Sequence, residues 1–292
     1  MTYATIQFLN GLSYGLSLFL VAAGLTIVFG VLRVLNFAHG AFYMLGGYIA
    51  YEVVRQIGIA DGRFWLAVLV AGVALAMLAA LIEFVLLRRL YDRDPVYQLL
   101  FTFALVLLIG DIVRGIWGTQ MLSISFPPEL RGAADLGVAF YPRYRLFLCV
   151  VGVAVAIGIW LTFQRTRWGR VIRAATQDRE MLSALGVNVP LVYLVVFAAG
   201  SALAGIGGAL AAPALALKPG MDAEIIVECF IVIIIGGLGS MWGAFIGALL
   251  IGQLRAIGVF LVPEWEIALI YLLMIAVLVV RPWGLFGRPE SR

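Results

Sequence analysis

Nine polar or ionisable side chains lie inside runs that are otherwise fit for lipid: Asn10, Arg33, Asn36, His39, Glu83, Asp111, Arg114, Glu228 and Arg255. Such groups are costly in a bilayer, and by default they mark a pathway for something polar. Their types do not assemble into bond-making chemistry. His39 is the single histidine and has no second His or Cys near it, so no metal site is indicated. No GxSxG or HExxH motif and no nucleophile–base pair can be found. No GxxxxGK[ST] loop occurs either, and the sole lysine, Lys218, lies in LKPG, so the chain binds no ATP through a P-loop. The expectation is a protein that is not an enzyme and carries no cofactor, one that recognises and passes a solute. Arg33 can snorkel from a helix end. Asp111 can pair with Arg114 three residues on, and Glu83 can reach Arg88. Asn36 and His39 fall at a break between two apolar runs, where freed backbone groups need partners. Glu228 stands just before the dense cluster Gly236, Gly237 and Gly239, which reads as a bend. The candidate pathway is therefore Asn10, Asn36, His39, Glu228, Gly236, Gly237 and Gly239.

A second constellation lies in the longest polar interval, residues 165–190, RTRWGRVIRAATQDREMLSALGVNVP. It carries Arg165, Arg167, Arg170, Arg173 and Arg179 against only Asp178 and Glu180. A basic loop between two spans belongs on the cytoplasmic side. Asp178 can cap a short helix after Gln177, with Arg179 and Glu180 in its first turn and Gly186 stopping it after Leu185. Pro190 then opens the next span. A plain solvated loop has no use for Val171, Ile172, Met181, Leu182 and Leu185. They fit either an amphipathic helix on the membrane surface or a short helix that docks into a groove on a cytoplasmic partner.

The elements that must position these residues follow from composition. Of the 292 residues, 64% are hydrophobic and 12% charged. A helix needs about 20 apolar residues to span a bilayer, and the chain holds many such runs. The fold class is all-α: one polytopic integral membrane domain over residues 1–292, embedded in the lipid bilayer, with no alternation of the kind a β-barrel requires. Apolar elements are expected near 8–32, 38–54, 64–87, 98–118, 146–163, 191–213, 224–238, 241–261 and 266–280. The 224–238 element is short and runs into the glycines, so it is a broken or re-entrant candidate, and the count is eight or nine spans. Three intervals are basic: Arg88, Arg89 and Arg93; residues 165–190; and Arg281, Arg288 and Arg292. The others hold Asp61, Glu129, Asp135, Asp222, Glu224, Glu264 and Glu266. Nine crossings put every basic interval in the cytoplasm, with the C-terminus there and the N-terminus outside; eight would bring the N-terminus inside. Residues 119–145 form the largest external loop. The net charge of +4 is nearly all arginine and reads as topology, not as a nucleic-acid footprint. Cys149 and Cys229 sit in apolar runs, which argues against a disulfide. AHGAFYMLGGYIA at 38–50 echoes MWGAFIGALLIG at 241–252, a possible internal repeat of the kind transporters carry.

Four stretches resemble one family. LNFAHGAFYMLGGYIA at 35–50, RTRWGRVIRAATQDREMLSALGVN at 165–188, IGGLGSMWGAFIGALL at 235–250 and RPWGLFGRPE at 281–290 are similar to the branched-chain amino-acid ABC transporter permeases of the type with an Asn-Phe-Ala-His-Gly motif. The resemblance runs from Phe8 to Glu290. It implies the permease subunit of an ATP-driven importer in a bacterial inner membrane. It further implies a second permease subunit, two cytoplasmic ATPase subunits that bind the ATP, and an external solute-binding protein. It places Gln177, Asp178, Leu185 and Gly186 in a helix that couples to an ATPase. The best-known members carry a lysine before the Gly-Gly-x-Gly-Ser motif, where this chain reads IIVECFIVIII with Glu228. Urea, amides or aromatic acids are the alternative substrates that the wider family implies. The residues alone leave open an ion-coupled secondary transporter, with Asp111 and Glu228 as its acids, and a membrane scaffold, although broken helices and intramembrane polar groups serve a scaffold no purpose.

Overall fold

The computed structural model describes residues 2–60, 62–137 and 140–287. Asp61, Arg288, Glu290 and Arg292 lie outside these residues. The bundle is organised around α1 (Thr2–Leu32), whose long apolar stretch is mostly buried by the other helices. The remaining helices are α2 (Ala38–Ile57), α3 (Arg63–Val85), α4 (Pro95–Trp117), α5 (Arg143–Arg165), α6 (Arg167–Gln177), α7 (Arg179–Ala184), α8 (Val189–Ala211), α9 (Met221–Gly236), α10 (Met241–Leu261) and α11 (Glu266–Val280). Each of the nine expected apolar runs is a helix. Among the described residues, seven helices are long and apolar enough to cross a membrane; α2 and α9 are not among them. These two pack inside, against α8, α1 and each other, while α4, α5 and α11 turn most of their surface outward.

The polar intervals separate to opposite ends of the bundle. At one end Arg88 donates to the Pro190 carbonyl (3.4 Å) and Arg173 to the Phe163 carbonyl. There Leu285 N–H donates to the Ile235 carbonyl (2.8 Å) and Phe286 N–H to the Gly236 carbonyl (3.0 Å). At the other end Leu122 and Leu217 form an isolated antiparallel bridge, and Trp117 reaches Glu52 (3.3 Å). The first turns of α1 belong to this second end, because Gln253 donates to the Phe8 carbonyl (3.1 Å). α9 is one unbroken helix of 16 residues that starts near the second end and finishes at the first, and the glycines follow at its end.

The irregular backbone at depth lies instead at residues 33–37, between α1 and α2. Arg33 takes a left-handed conformation there (φ 57°). α2 starts partway into the bundle, since His39 lies beside Gly24 and Gly200, and Gly200 is in the middle of α8. Such backbone is tolerated at membrane depth where protein covers it, and Val34, Asn36 and Ala38 are all buried.

Glu83 is fully buried and its partners are local. Arg88 donates to it (3.2 Å), as does the Tyr91 hydroxyl (3.1 Å). Burial and the adjacent carboxylate hold the Tyr91 phenol well above its ordinary pKa, so it stays a donor. Glu83→Leu is expected to cost about 3 kcal/mol, because it strands both donors. A lower unfolding temperature in detergent, partly restored by adding Arg88→Leu, is the check.

Candidate solute cavity and coupling elbow

A polar stripe runs down one face of α1 at helical spacing: Gln7, Asn10, Ser13, Tyr14 and Ser17. It forms one wall of a cavity of about 380 Å³, closed by α2, α5, α8, α9 and α10. Most of the remaining lining is aliphatic, including Leu148, Val151, Leu210 and Ile225. Two guanidiniums enter it, Arg145 from the first turn of α5 and Arg255 from α10.

Arg255 is held in a dense network. It donates to Glu228 (2.7 Å) on α9 and pairs through Nε with Glu266 (2.6 Å) on α11. Its guanidinium lies over the Tyr14 ring, 4.3 Å from the centroid, and it also bonds the Tyr14 hydroxyl. That hydroxyl donates in turn to Glu228. Four helices thus meet at one cation. Two carboxylates against one guanidinium give the network a formal charge of −1.

Arg145 differs. It donates to the Asn10 side-chain carbonyl (2.7 Å), and among the described residues no carboxylate pairs with it. Asn10 is fixed from both sides: it donates to Gln7 (3.3 Å) and also accepts from the Tyr141 hydroxyl (3.1 Å). Tyr141 comes from a hairpin within 119–145 that the sequence did not suggest, β1 (Ala133–Asp135) antiparallel to β2 (Phe140–Pro142), with Ala134 opposite Tyr141. The 119–145 loop is therefore pinned to α1 at the rim of the cavity.

The candidate pathway residues do not converge. Asn10 lines the cavity, and Glu228 stands behind Tyr14 and Arg255. His39 lies deeper, with Nε2 2.9 Å from the Val21 carbonyl. A carbonyl only accepts, so Nε2 carries the hydrogen, and among the described residues Nδ1 is a bare acceptor without a partner. The amide nitrogen and oxygen of Asn36 are likewise buried without partners among the described residues. Gly236, Gly237 and Gly239 are not part of this cavity's lining. They are packed against Gly243, Gly287 and Gly30 at the basic end. Asp111 pairs with Arg114 (2.9 Å) on an exposed face of α4, and no bond joins it to Glu228. Tyr14 and Arg145 were missed. The signal that could have found the site is the spacing 7, 10, 14, 17 of polar residues in the first apolar run.

The other constellation is an elbow at the basic end. Thr166 caps α6 by accepting from Gly169 N–H (3.0 Å), and Asp178 caps α7 by accepting from Met181 N–H (2.9 Å). Glu180 is in the first turn of α7. Gly186 ends it at φ 81°, with Val187 N–H returning to the Leu182 carbonyl (3.3 Å). Leu182 packs inward, while Met181 and Leu185 are exposed.

A buried inner layer of helices, polar groups at depth and a cavity with one polar wall fit a multi-pass membrane transport protein. A family profile described as the permease component of the branched-chain amino acid transport system matches residues 7–278. The chain belongs to that family, a transport component and not an enzyme. It is 28% identical over 308 residues, 99% of this chain and 97% of the relative, to the high-affinity branched-chain amino acid transport system permease protein LivH of Escherichia coli strain K12. It is also 28% identical over 302 residues, 97% and 96% of the two chains, to the permease protein BraD of the corresponding system in Pseudomonas aeruginosa. No solved structure gives a significant match.

Proposed function

We propose that this chain is the membrane-spanning subunit of an importer for branched-chain or similar amino acids in a bacterial inner membrane. Two cytoplasmic ATPase subunits bind and hydrolyse the ATP, and the chain works beside a second permease subunit. An external solute-binding protein docks on surfaces that include 119–145. The orientation rests on an excess of arginines at one end: Arg88, Arg89, Arg93, the 165–190 elbow and Arg281 outnumber Arg55, Arg63, Arg131, Arg143 and Arg145 at the other, and the positive-inside rule places the richer end in the cytoplasm, with the first turn of α1 outside.

The observation that carries the reading is the elbow. α7 is held at both ends by its own caps, and it presents Met181 and Leu185 away from the bundle at the basic end. A short, rigidly capped helix with exposed apolar residues suits a groove on a cytoplasmic partner. Movement of that partner is then transmitted through α6 to α5 and through Val189 to α8, whose inner ends meet the core. Gln177, Asp178, Arg179, Glu180, Leu185 and Gly186 form this coupling unit.

The test is co-purification and uptake. The chain extracted in mild detergent is expected to bring two ATPases and a second permease with it. Gly186→Val places a β-branched residue at a left-handed φ, a strain of about 1–2 kcal/mol or more on the α7 stop. No atom lies within 4 Å of the position, so the effect is conformational and not steric. Insertion is expected to be normal and ATP-driven uptake to fall about tenfold or more, while Gly186→Asn, which tolerates that φ, keeps most of it. Normal uptake in the Val variant removes the coupling assignment.

A further inference from the structure

We infer that the cavity between α1, α5 and α10 is a binding station for an apolar α-amino acid in its zwitterionic form, with Arg145 as the residue that recognises the carboxylate. The inference rests on the importer reading and adds where, within one permease, the solute is held and by what.

The size and lining fit a small solute. Ligand sites are clefts of roughly 300–1,000 Å³, mostly apolar, with a few convergent polar groups, and this cavity has about 380 Å³. Leu148, Val151, Leu210 and Ile225 offer an aliphatic side chain a dry wall. The polar groups are concentrated on α1, Arg145 and Arg255, so the cavity has a wet side and a dry side.

The charges then distinguish classes of solute. Arg255 is saturated: two carboxylates and the Tyr14 ring occupy it. Arg145 is not. Among the described residues its guanidinium donates to the neutral Asn10 amide and sits beside the Tyr141 hydroxyl, with no carboxylate, and Asn10 is itself oriented by Tyr141 and Gln7. A guanidinium has five donors in a planar fork that matches a carboxylate. Arg145 is thus a positioned cation that keeps most of its donors available. Glu228 and Glu266 stand behind Tyr14 and Arg255 and do not line the cavity, so the groups that face an ammonium are the neutral oxygens of the α1 stripe, Gln7, Ser13 and Ser17. A solute carrying a carboxylate and an ammonium on one carbon, plus an aliphatic group, complements Arg145, this stripe and the aliphatic wall. Urea and simple amides would leave Arg145 without a counter-charge and the aliphatic wall empty, so the cavity favours an amino acid over these. The rim is the right place for such a station, since Arg145 is in the first turn of α5 and Tyr141 ties the outer hairpin to the same asparagine.

The experiment is solute protection of a reporter cysteine in the assembled importer, reconstituted without nucleotide in lipid. Ala214, an exposed residue of the cavity lining, is replaced in an Ala214→Cys, Cys149→Ser background and labelled with a membrane-impermeant thiol reagent. Leucine is expected to slow labelling about fivefold or more, and leucinamide, which lacks the carboxylate, to have little effect. Arg145→Gln is expected to abolish the difference between the two, and Arg145→Lys to keep part of it. An Arg145→Gln protein that still elutes as the intact complex excludes misfolding as the cause. Equal protection by leucine and leucinamide, unchanged protection in Arg145→Gln, or no protection by leucine in a complex that transports it would each overturn the inference. Protection by leucine in a complex with no ATP-driven uptake would keep the station and remove the importer reading instead.

Discussion

Arg255→Ala is expected to remove most of the folded protein from a detergent extract. The side chain joins α9, α11 and α1 to α10, and its loss leaves Glu228 and Glu266 with no cation at all. Breaking a buried pair costs about 3–5 kcal/mol, because the surviving charge is stranded. The lower figure applies to each bond here, since 35% of the Arg255 side chain is open. Two stranded carboxylates still exceed a large part of the roughly 5–15 kcal/mol that holds an ordinary domain together. Arg255→Lys keeps the charge but not the fork that serves Glu228 and Glu266 from separate nitrogens, so an intermediate loss is expected. Arg255→Gln combined with Glu228→Gln and Glu266→Gln removes all three charges and is expected to recover much of the folded fraction. The measurement is the monodisperse fraction on size exclusion together with the unfolding temperature. An Arg255→Ala protein that unfolds at the wild-type temperature would show that the network contributes nothing to the fold.

Gly208→Val is expected to be at least as severe, for a steric reason. A Cβ at Gly208 would overlap the Tyr43 carbonyl oxygen and would come within 3.0 Å of Gly47 N. These are backbone atoms, so no rotamer change relieves the clash and α2 must separate from α8. Gly46 is likewise packed directly against the Gly205 backbone on the same seam. Small residues allow such close approach in lipid, where packing and not the hydrophobic effect holds helices together. Overpacking of a tight site costs about 1–3 kcal/mol and more when the backbone must move. The seam also carries Tyr43 into the cavity wall and His39 against α1, so transport should fail with stability. Gly110→Ala on α4 is the control. Nothing lies within 4 Å of it, and alanine favours helix by about 1 kcal/mol, so no loss is expected. Equal behaviour of the two variants would refute the close-packing account.

The sequence carried the membrane helices well because their signal is a run of apolar residues, and every expected run from 8–32 to 266–280 is a helix. The caps of α7 were legible for a similar reason: Asp178 and Gly186 act on backbone within a few residues of themselves. What could not be read was long-range. The Tyr14–Glu228–Arg255–Glu266 network joins residues far apart in the chain, and only the packing of α1 on α9 and α10 brings them together. Arg145 carried no mark of its own in the sequence, because its neighbours there say nothing of Asn10. The break at 33–37 was visible as a junction, but its depth was not, because depth depends on where α8 places Gly200. The glycines at 236–239 were read as a bend along a pathway. Close packing by Gly30, Gly243 and Gly287 is equally consistent with their sequence, and composition cannot separate the two.

The hydrogen bonds from Leu285 and Phe286 to the carbonyls of Ile235 and Gly236 bear on how the protein is made. Synthesis is vectorial, and α9 leaves the ribosome before the segment that caps it. Until α10 and α11 have been inserted and the chain has returned to the same end, the last carbonyls of an inner helix lack these partners. The core layer of the bundle is therefore completed by residues translated after α10 and α11. A nascent chain interrupted before Leu285 would hold every spanning helix and still lack the closure of α9, which gives membrane quality control a definite feature by which to distinguish an unfinished permease from a finished one.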